Sequence, residues 1–168
     1  MTLRVASVEA AVDAVLARTG KRIVAGIPLG IGKPNALVNA LYERVKRDPG
    51  LSLELITALS LNPPTGQSEL EERFLKPIRA RVWKDYPRLS FLDDRSAERL
   101  PDNVRVHEFY MRSGAELRNA SAQRDYISSN YTHVARDMLS RGVNLLMQAV
   151  ALRQEGERAR YSLSCNPD

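Results

Sequence analysis

Between Arg22 and Tyr42 the chain reads RIVAGIPLGIGKPNALVNALY. An apolar run ends in glycines, a lysine follows, and a helical pattern begins. Gly30, Gly32, Lys33 and Pro34 are the first residues whose types and spacing could do chemistry. Glycine lets a backbone approach a ligand closely, and free amides at a helix N-terminus attract anions. The chemistry would be the cradling of a phosphate or a carboxylate. Spacing rejects the two familiar phosphate loops. A nucleotide loop needs G-x-x-x-x-G-K-[ST], but the Gly26–Gly32 gap is one residue too long, and Pro34 stands where the magnesium-binding hydroxyl belongs. A dinucleotide loop needs G-x-G-x-x-G, and Asn35 occupies its third glycine position. On these residues a ligand loop and a plain structural turn both stay open.

Other reactive types are more dispersed. SSNYTH brings Ser128, Ser129 and His133 together, a nucleophile–base spacing, but no G-x-S-x-G elbow frames the serine. A helix cap is the better reading, with Asn130 or Ser129 accepting from the first helical amides. His107 falls in a strand pattern and reads as a core or surface histidine. Two histidines so far apart make no metal site, and the carboxylates of ELEER read as a solvated helix face. No catalytic constellation emerges.

The positioning elements follow from periodicity. Ser7 opens an apolar-periodic helix that stops at Gly20. RIVAGI is a short buried strand. Pro34 or Asn35 opens the next helix, with Leu37, Val38, Leu41 and Val45 at helical spacing, and RDPG stops it. LSLELITALSL is a second strand, and NPPTGQ a loop. SELEERFLKPIRARVWKDYP is helical in two pieces, broken near Pro77. DNVRVHEFY is a third strand. A mixed connection with an extended piece at Asp125–Ser128 leads to the helix YTHVARDMLSRG, stopped at Gly142. VNLLMQAVAL is a fourth strand, and ARYSLS a fifth that pairs antiparallel with it across QEGERA. At the end, CNPD reads as Asn166 capping a helix with Pro167 and Asp168 in its first turn. Alternating strands and helices predict an α/β fold with a mostly parallel open sheet flanked by helices.

Composition sets the class. The 168 residues suffice for one α/β domain over 1–168, and an apolar share of 43% is that of a globular chain. No apolar run reaches the ~18 residues of a membrane span, and the amphipathic start has no signal-peptide core, so a cytoplasmic location is expected. The single cysteine, Cys165, forms no internal disulfide and no cysteine zinc site. A net charge of +5 weakly favours an anionic partner. The basic residues are scattered beside acids and read as solvated helix faces, not a nucleic-acid stripe.

The order of segments carries more than any one of them. GKRIVAGIPLGIGKPNALVNALYERV, then LSLELITALS, then RDYISSNYTHVARDMLSRGVNLLMQAVA and ARYSLSCNPD together resemble the first part of the acetyl-CoA hydrolase/transferase family. These are type I CoA-transferases, which form an enzyme glutamyl-CoA thioester. The resemblance implies a CoA-transferase-like (Rossmann-like) N-terminal domain of a longer, two-domain protein. It implies an acyl-CoA and a small carboxylate as substrates, and no cofactor beyond the coenzyme A thioester itself. The partners are then the C-terminal domain of the same protein and, as a candidate, a second copy, with no nucleic acid and no membrane. Gly30, Gly32, Lys33 and Pro34 would wall the active-site cleft. Ser60, Asn62 and Pro63 would lie on the same rim, and Ser129 and Asn130 would follow a later strand. The family's catalytic glutamate belongs to the C-terminal half, and none of Glu43, Glu54, Glu108 or Glu116 stands in its context. ALRQEGERARYSLS replaces the family's usual S-P-x-D-x-x-G stretch. Two other readings compete: a non-catalytic anion-binding α/β module, and a structural piece whose apolar face packs on the missing half.

Overall fold

The computed structural model describes residues 3–163. Ser7 accepts a hydrogen bond from the Ala10 amide and caps α1 (Val8–Thr19), which Gly20 closes at φ 71°. This is a left-handed conformation that glycine adopts freely. β1 (Arg22–Gly26), α2 (Asn35–Arg47), β2 (Ser52–Thr57) and β3 (Val104–Glu108) follow the predicted alternation. With β4 (Leu145–Leu146) they form one four-stranded sheet in the order β3-β2-β1-β4, every pairing parallel. The fold is thus α/β and Rossmann-like, with ligand-bearing loops expected beyond the carboxyl ends of the strands.

Strand alternation divides the core between the two faces of the sheet. Ile23, Ala25, Leu53, Leu55, Val104 and Val106 pack with Val12, Leu41, Tyr42 and Phe91. Val24, Ile56, Ala58 and Phe109 pack on the other side with Ile127, Val134 and Met138. The first face is covered by α1, α2 and α4 (Ser90–Ser96), a short helix that buries Phe91, Leu92 and Arg95. The second is covered by α5 (Ala120–Arg124), by the segment after it, and by α6 (Val134–Ser140).

Several expectations are corrected. α3 (Glu69–Val82) runs unbroken through Pro77. Proline removes one helical hydrogen bond, but the residue four positions earlier, Arg73, is exposed, so water can serve its carbonyl. The long fourth strand divides in two. β4 ends at Leu146 because β1, its only strand neighbour among the described residues, ends at Gly26. The chain then crosses the loop after β1, with the Ala149 amide on the Gly32 carbonyl. β5 (Ala151–Glu155) starts afresh and pairs with β6 (Arg158–Ser162) in an antiparallel hairpin turned at Gly156. The extended piece at Asp125–Ser128 is no strand; the Ile127 amide meets the Glu108 carbonyl, and the Asp125 carbonyl meets the His107 side chain. α4 and α5 were not anticipated. The helix start expected at Asn166 lies outside the described residues.

Candidate functional site

Two cavities flank the carboxyl end of β2, one on each face of the sheet. The polar one, of about 390 Å³, is lined by Ser60, Asn62, Pro63, Arg88, Arg95 and Arg112, among others. The apolar one, of about 470 Å³, is lined by Ile27, Leu29, Phe109, Tyr131, Met138 and Met147, among others.

The polar cavity is built around the end of β3. Alternation puts Glu108 on the same face as Val104 and Val106, so its carboxylate is carried inward and is 1% exposed. A buried charge is tolerated only when paired and hydrogen-bonded. Arg95 of α4, 2% exposed, donates from Nη1 to Glu108 Oε2 at 2.6 Å and from Nη2 to Glu116 Oε1 at 3.1 Å. The Ser60 amide donates to the other Glu108 oxygen, Oε1, at 2.9 Å. Both oxygens of Glu108 are therefore occupied, whereas Arg95 Nε and Ser60 Oγ have no hydrogen-bond partner. On the rim Arg88 grips Asp93 with two bonds, of 3.1 and 2.6 Å. Arg112 pairs with no carboxylate among the described residues.

Ser60 reaches its place through a strained bend. Leu59 has φ 43°, a left-handed conformation uncommon for a bulky side chain, and such strain persists only where the surroundings hold it. The loop after β1 does the holding. Lys33 is 4% exposed, and its Nζ donates to the Ala58 and Leu59 carbonyls at 2.7 and 3.4 Å. The Gly30 amide donates to the Leu59 carbonyl at 3.2 Å, with Gly30 itself at φ 50°. Gly32 accepts from Ala149, and Pro34 precedes the first residue of α2. Lys33 thus braces the neighbouring loop and does not project its charge toward open space.

Asn62 ties the loop after β2 to α4: its Oδ1 accepts from the Leu89 amide at 2.7 Å, and its Nδ2 donates to Asp93 at 2.9 Å. Pro63 stands beside it in the cavity wall. The structure therefore brings Ser60, Asn62 and Pro63 into one cavity and sets Gly30 and Lys33 behind them as supports.

Ser129 and Asn130 lie across the sheet, next to the apolar cleft. The expected cap is corrected: Ser129 Oγ donates to Asp137 Oδ2 at 2.6 Å, and α6 begins after His133 with no side-chain cap. The helix starts only at Val134, and the hydroxyl is turned instead to the Asp137 carboxylate, a strong charged acceptor. Asn130 Oδ1 accepts from the Thr132 amide at 3.0 Å and shapes the turn before the helix. The hydrogen bond from Ser129, then those from Arg136, hold the Asp137 carboxyl below its ordinary range. With its proton directed to Asp137, Ser129 is not set up as a nucleophile for His133.

In the apolar cleft, a side chain on Gly26 would run into the terminal carbons of Met138 and Leu146. A glycine here lets α6 lay its methionine directly on the strand end. Methionine fills irregular apolar space with a flexible thioether. His107 faces this side of the sheet, with Nδ1 on the Asp125 carbonyl at 3.0 Å and Nε2 3.7 Å from Glu54. No group of histidine, cysteine or carboxylate side chains suited to a metal ion occurs among the described residues. No helix among them is long and apolar enough to cross a membrane.

Sequence reasoning missed Arg95 and Arg112, and it passed over Glu108 and Glu116. One signal was available. In VRVHE the alternation that buries Val104 and Val106 also buries Glu108, and an inward carboxylate demands a cation. Which arginine answers it depends on tertiary structure.

No family model, curated protein or solved structure matches this chain.

Proposed function

We propose that this chain is the N-terminal domain of an acyl-CoA hydrolase or CoA-transferase of the acetyl-CoA type, acting in the cytoplasm and forming one wall of an acyl-CoA/carboxylate cleft. The observation that carries the reading is the pair of unlike cavities at a single strand end. An apolar cleft of about 470 Å³ suits the acyl portion of a thioester, and a polar cavity of about 390 Å³ suits its carboxylate partner; both volumes fall in the range of small-molecule sites. The order of sequence segments that resembles the family supports the same reading.

In this account the covalent step belongs to a glutamate of a second domain. Its carboxylate attacks the thioester carbonyl and releases CoA thiolate, leaving a mixed anhydride. The thiolate then attacks the enzyme acyl carbon and expels the acyl group as its carboxylate, which leaves glutamyl-CoA. Transfer of that CoA to a carboxylate is transferase activity, and loss to water is hydrolysis. The buried carboxylate of this domain fits a supporting role: Glu108 has both oxygens hydrogen-bonded and is closed off from an incoming carbonyl.

The test is an assay of the longer protein with acetyl-CoA and a carboxylate acceptor, beside residues 1–168 alone. The longer protein should turn over and the shorter one should not. Turnover of ~1 per second or faster by residues 1–168 alone, or no thioester consumed by the longer protein, contradicts the reading.

A further inference from the structure

We infer that the outward face of α3 is a docking surface for a second copy of this chain, the two helices lying antiparallel across a two-fold axis. The inference is independent of the acyl-transfer reading and of both cavities.

α3 is tied to the rest of the domain from one side. Glu72 and Arg79 pair with each other, Glu72 accepts from the Gly66 amide at 3.1 Å, and Arg79 donates to the Pro64 carbonyl at 3.0 Å. Leu70, Phe74, Ile78 and Val82 follow one another at every fourth residue. At about 3.6 residues per turn they form an apolar stripe that starts opposite the tied side. No residue of α3 is buried. Leu70 is 75% exposed and Phe74 69%; Val82 is exposed too, and Ile78 is half-buried. An amphipathic helix ordinarily turns such a stripe to the core. Turned outward, it marks an interaction surface.

The stripe's reversal symmetry selects its occupant. Counted outward from Lys76 in both directions, the pattern repeats: Phe74 matches Ile78, Leu70 matches Val82, and the acid Glu71 meets the base Arg81. A two-fold interface requires this, because residue i of one copy meets j of the other while j meets i. A dissimilar partner imposes no such symmetry. Charge then sets the direction. Glu69, Glu71 and Glu72 lie in the first turn, and Arg79 and Arg81 in the last. Antiparallel helices bring these unlike ends together and oppose their dipoles, whereas parallel ones would stack like charges. Glu71 takes the Gln67 amide on Oε2, and neither Glu71 nor Arg81 has an ion-pair partner among the described residues. In the pair, each copy's Glu71 faces the other's Arg81 at the rim of a seam built from Phe74 and Ile78. One 14-residue helix per copy covers less than the ~1,600 Å² of a standard interface, so the association is weak and reversible.

Sedimentation equilibrium of the 168-residue protein from about 10 μM to 1 mM should show a reversible monomer–dimer exchange. Phe74→Glu should weaken it by about a hundredfold or more, since central aromatic anchors dominate an interface. Glu71→Arg and Arg81→Glu should each weaken it by about tenfold, because each acts twice across the axis. Combining the two reversals should restore most of the affinity, which a nonspecific apolar contact would not do. All three side chains are exposed, so the variants are expected to stay folded, and circular dichroism checks this. Should Phe74→Glu fail to fold, the charge reversals carry the test alone. A monomer throughout the range, the result if another domain covers α3, would overturn the inference. So would a dimer indifferent to Phe74→Glu, or charge reversals that do not compensate each other.

Discussion

The two sides of the β2 carboxyl end are made by neighbouring residues of the same strands and differ completely in character. On the α4 side, Glu108 and Arg95 form a buried ion pair, and polar side chains line the wall. On the α6 side, Ile56, Phe109 and Met138 leave an apolar cleft. One step along a strand changes the face, so a single residue of alternation separates a charge-bearing site from an oily one. The difference teaches how one parallel sheet can carry a charged and an apolar cavity side by side at a single strand end.

Removing a buried charge from its partner is the hardest way to break this contrast. Arg95→Met leaves Glu108 buried without its guanidinium, and the expected loss is about 3–5 kcal/mol, read as a lower denaturant midpoint. A loss below about 1 kcal/mol would mean that the pair behaves as a surface bridge and that the polar side is not a built network. The apolar side should respond less. Met138→Ala removes a half-buried thioether from Gly26, and a loss of about 1–2 kcal/mol is expected, below the range for a fully buried methionine. A larger loss than that of Arg95→Met would reverse the comparison.

The loop behind the polar cavity sharpens the contrast further. On the proposed acyl-transfer reading, Gly32→Val should lower kcat/KM by about tenfold, because Gly32 supports the segment at Ala149 and the loop that braces Leu59. Stability measured beside kinetics decides the matter. A normal kcat/KM per folded molecule would remove this loop from the site.

The smallest expected effect is one of pH. Hydrogen bonds from Arg79 and from the Gly66 amide pull the Glu72 carboxyl down to about 2. A carboxyl depressed by folding adds stability above its unfolded value, about 4.3. That contribution fades as pH falls from there toward 2. Glu72→Gln should flatten the acid limb of the stability–pH curve slightly, since the group is exposed and screened. The same bond anchors the loop at Gly66, next to the cavity wall at Thr65 and Gln67. An unchanged acid limb would detach Glu72 from this role.

Legibility in the sequence followed the range of the interactions. α1 and α2 and the first three strands were readable because caps, stops and alternation are local: Ser7 and Gly20 frame one helix, and Ile23 to Gly26 announce a buried strand. α4 was not readable. It has about two turns and is held from a distance, by Asn62 on the Leu89 amide and by Arg95 on Glu108. Pro77 misled because the rule against proline is strict only where the freed carbonyl is shut away from water. The division of β4 from β5 depends on where β1 stops, which VNLLMQAVAL itself does not encode. Within the site, alternation could have exposed Glu108. Lys33 was readable as important and not as a brace, because its partners are carbonyls in the next loop. SSNYTH offers Asn130 or Ser129 as a cap and carries no sign that Asp137 comes within reach of the serine.

The most direct measurement is to trap the covalent intermediate. The longer protein is incubated with acetyl-CoA, the thioester is reduced with borohydride, and the modified peptide is located by mass spectrometry. The account predicts modification of a glutamate outside residues 1–168, and none at Glu54, Glu108 or Glu116. Modification of a glutamate within residues 1–168, or no adduct on the protein at all, would contradict it.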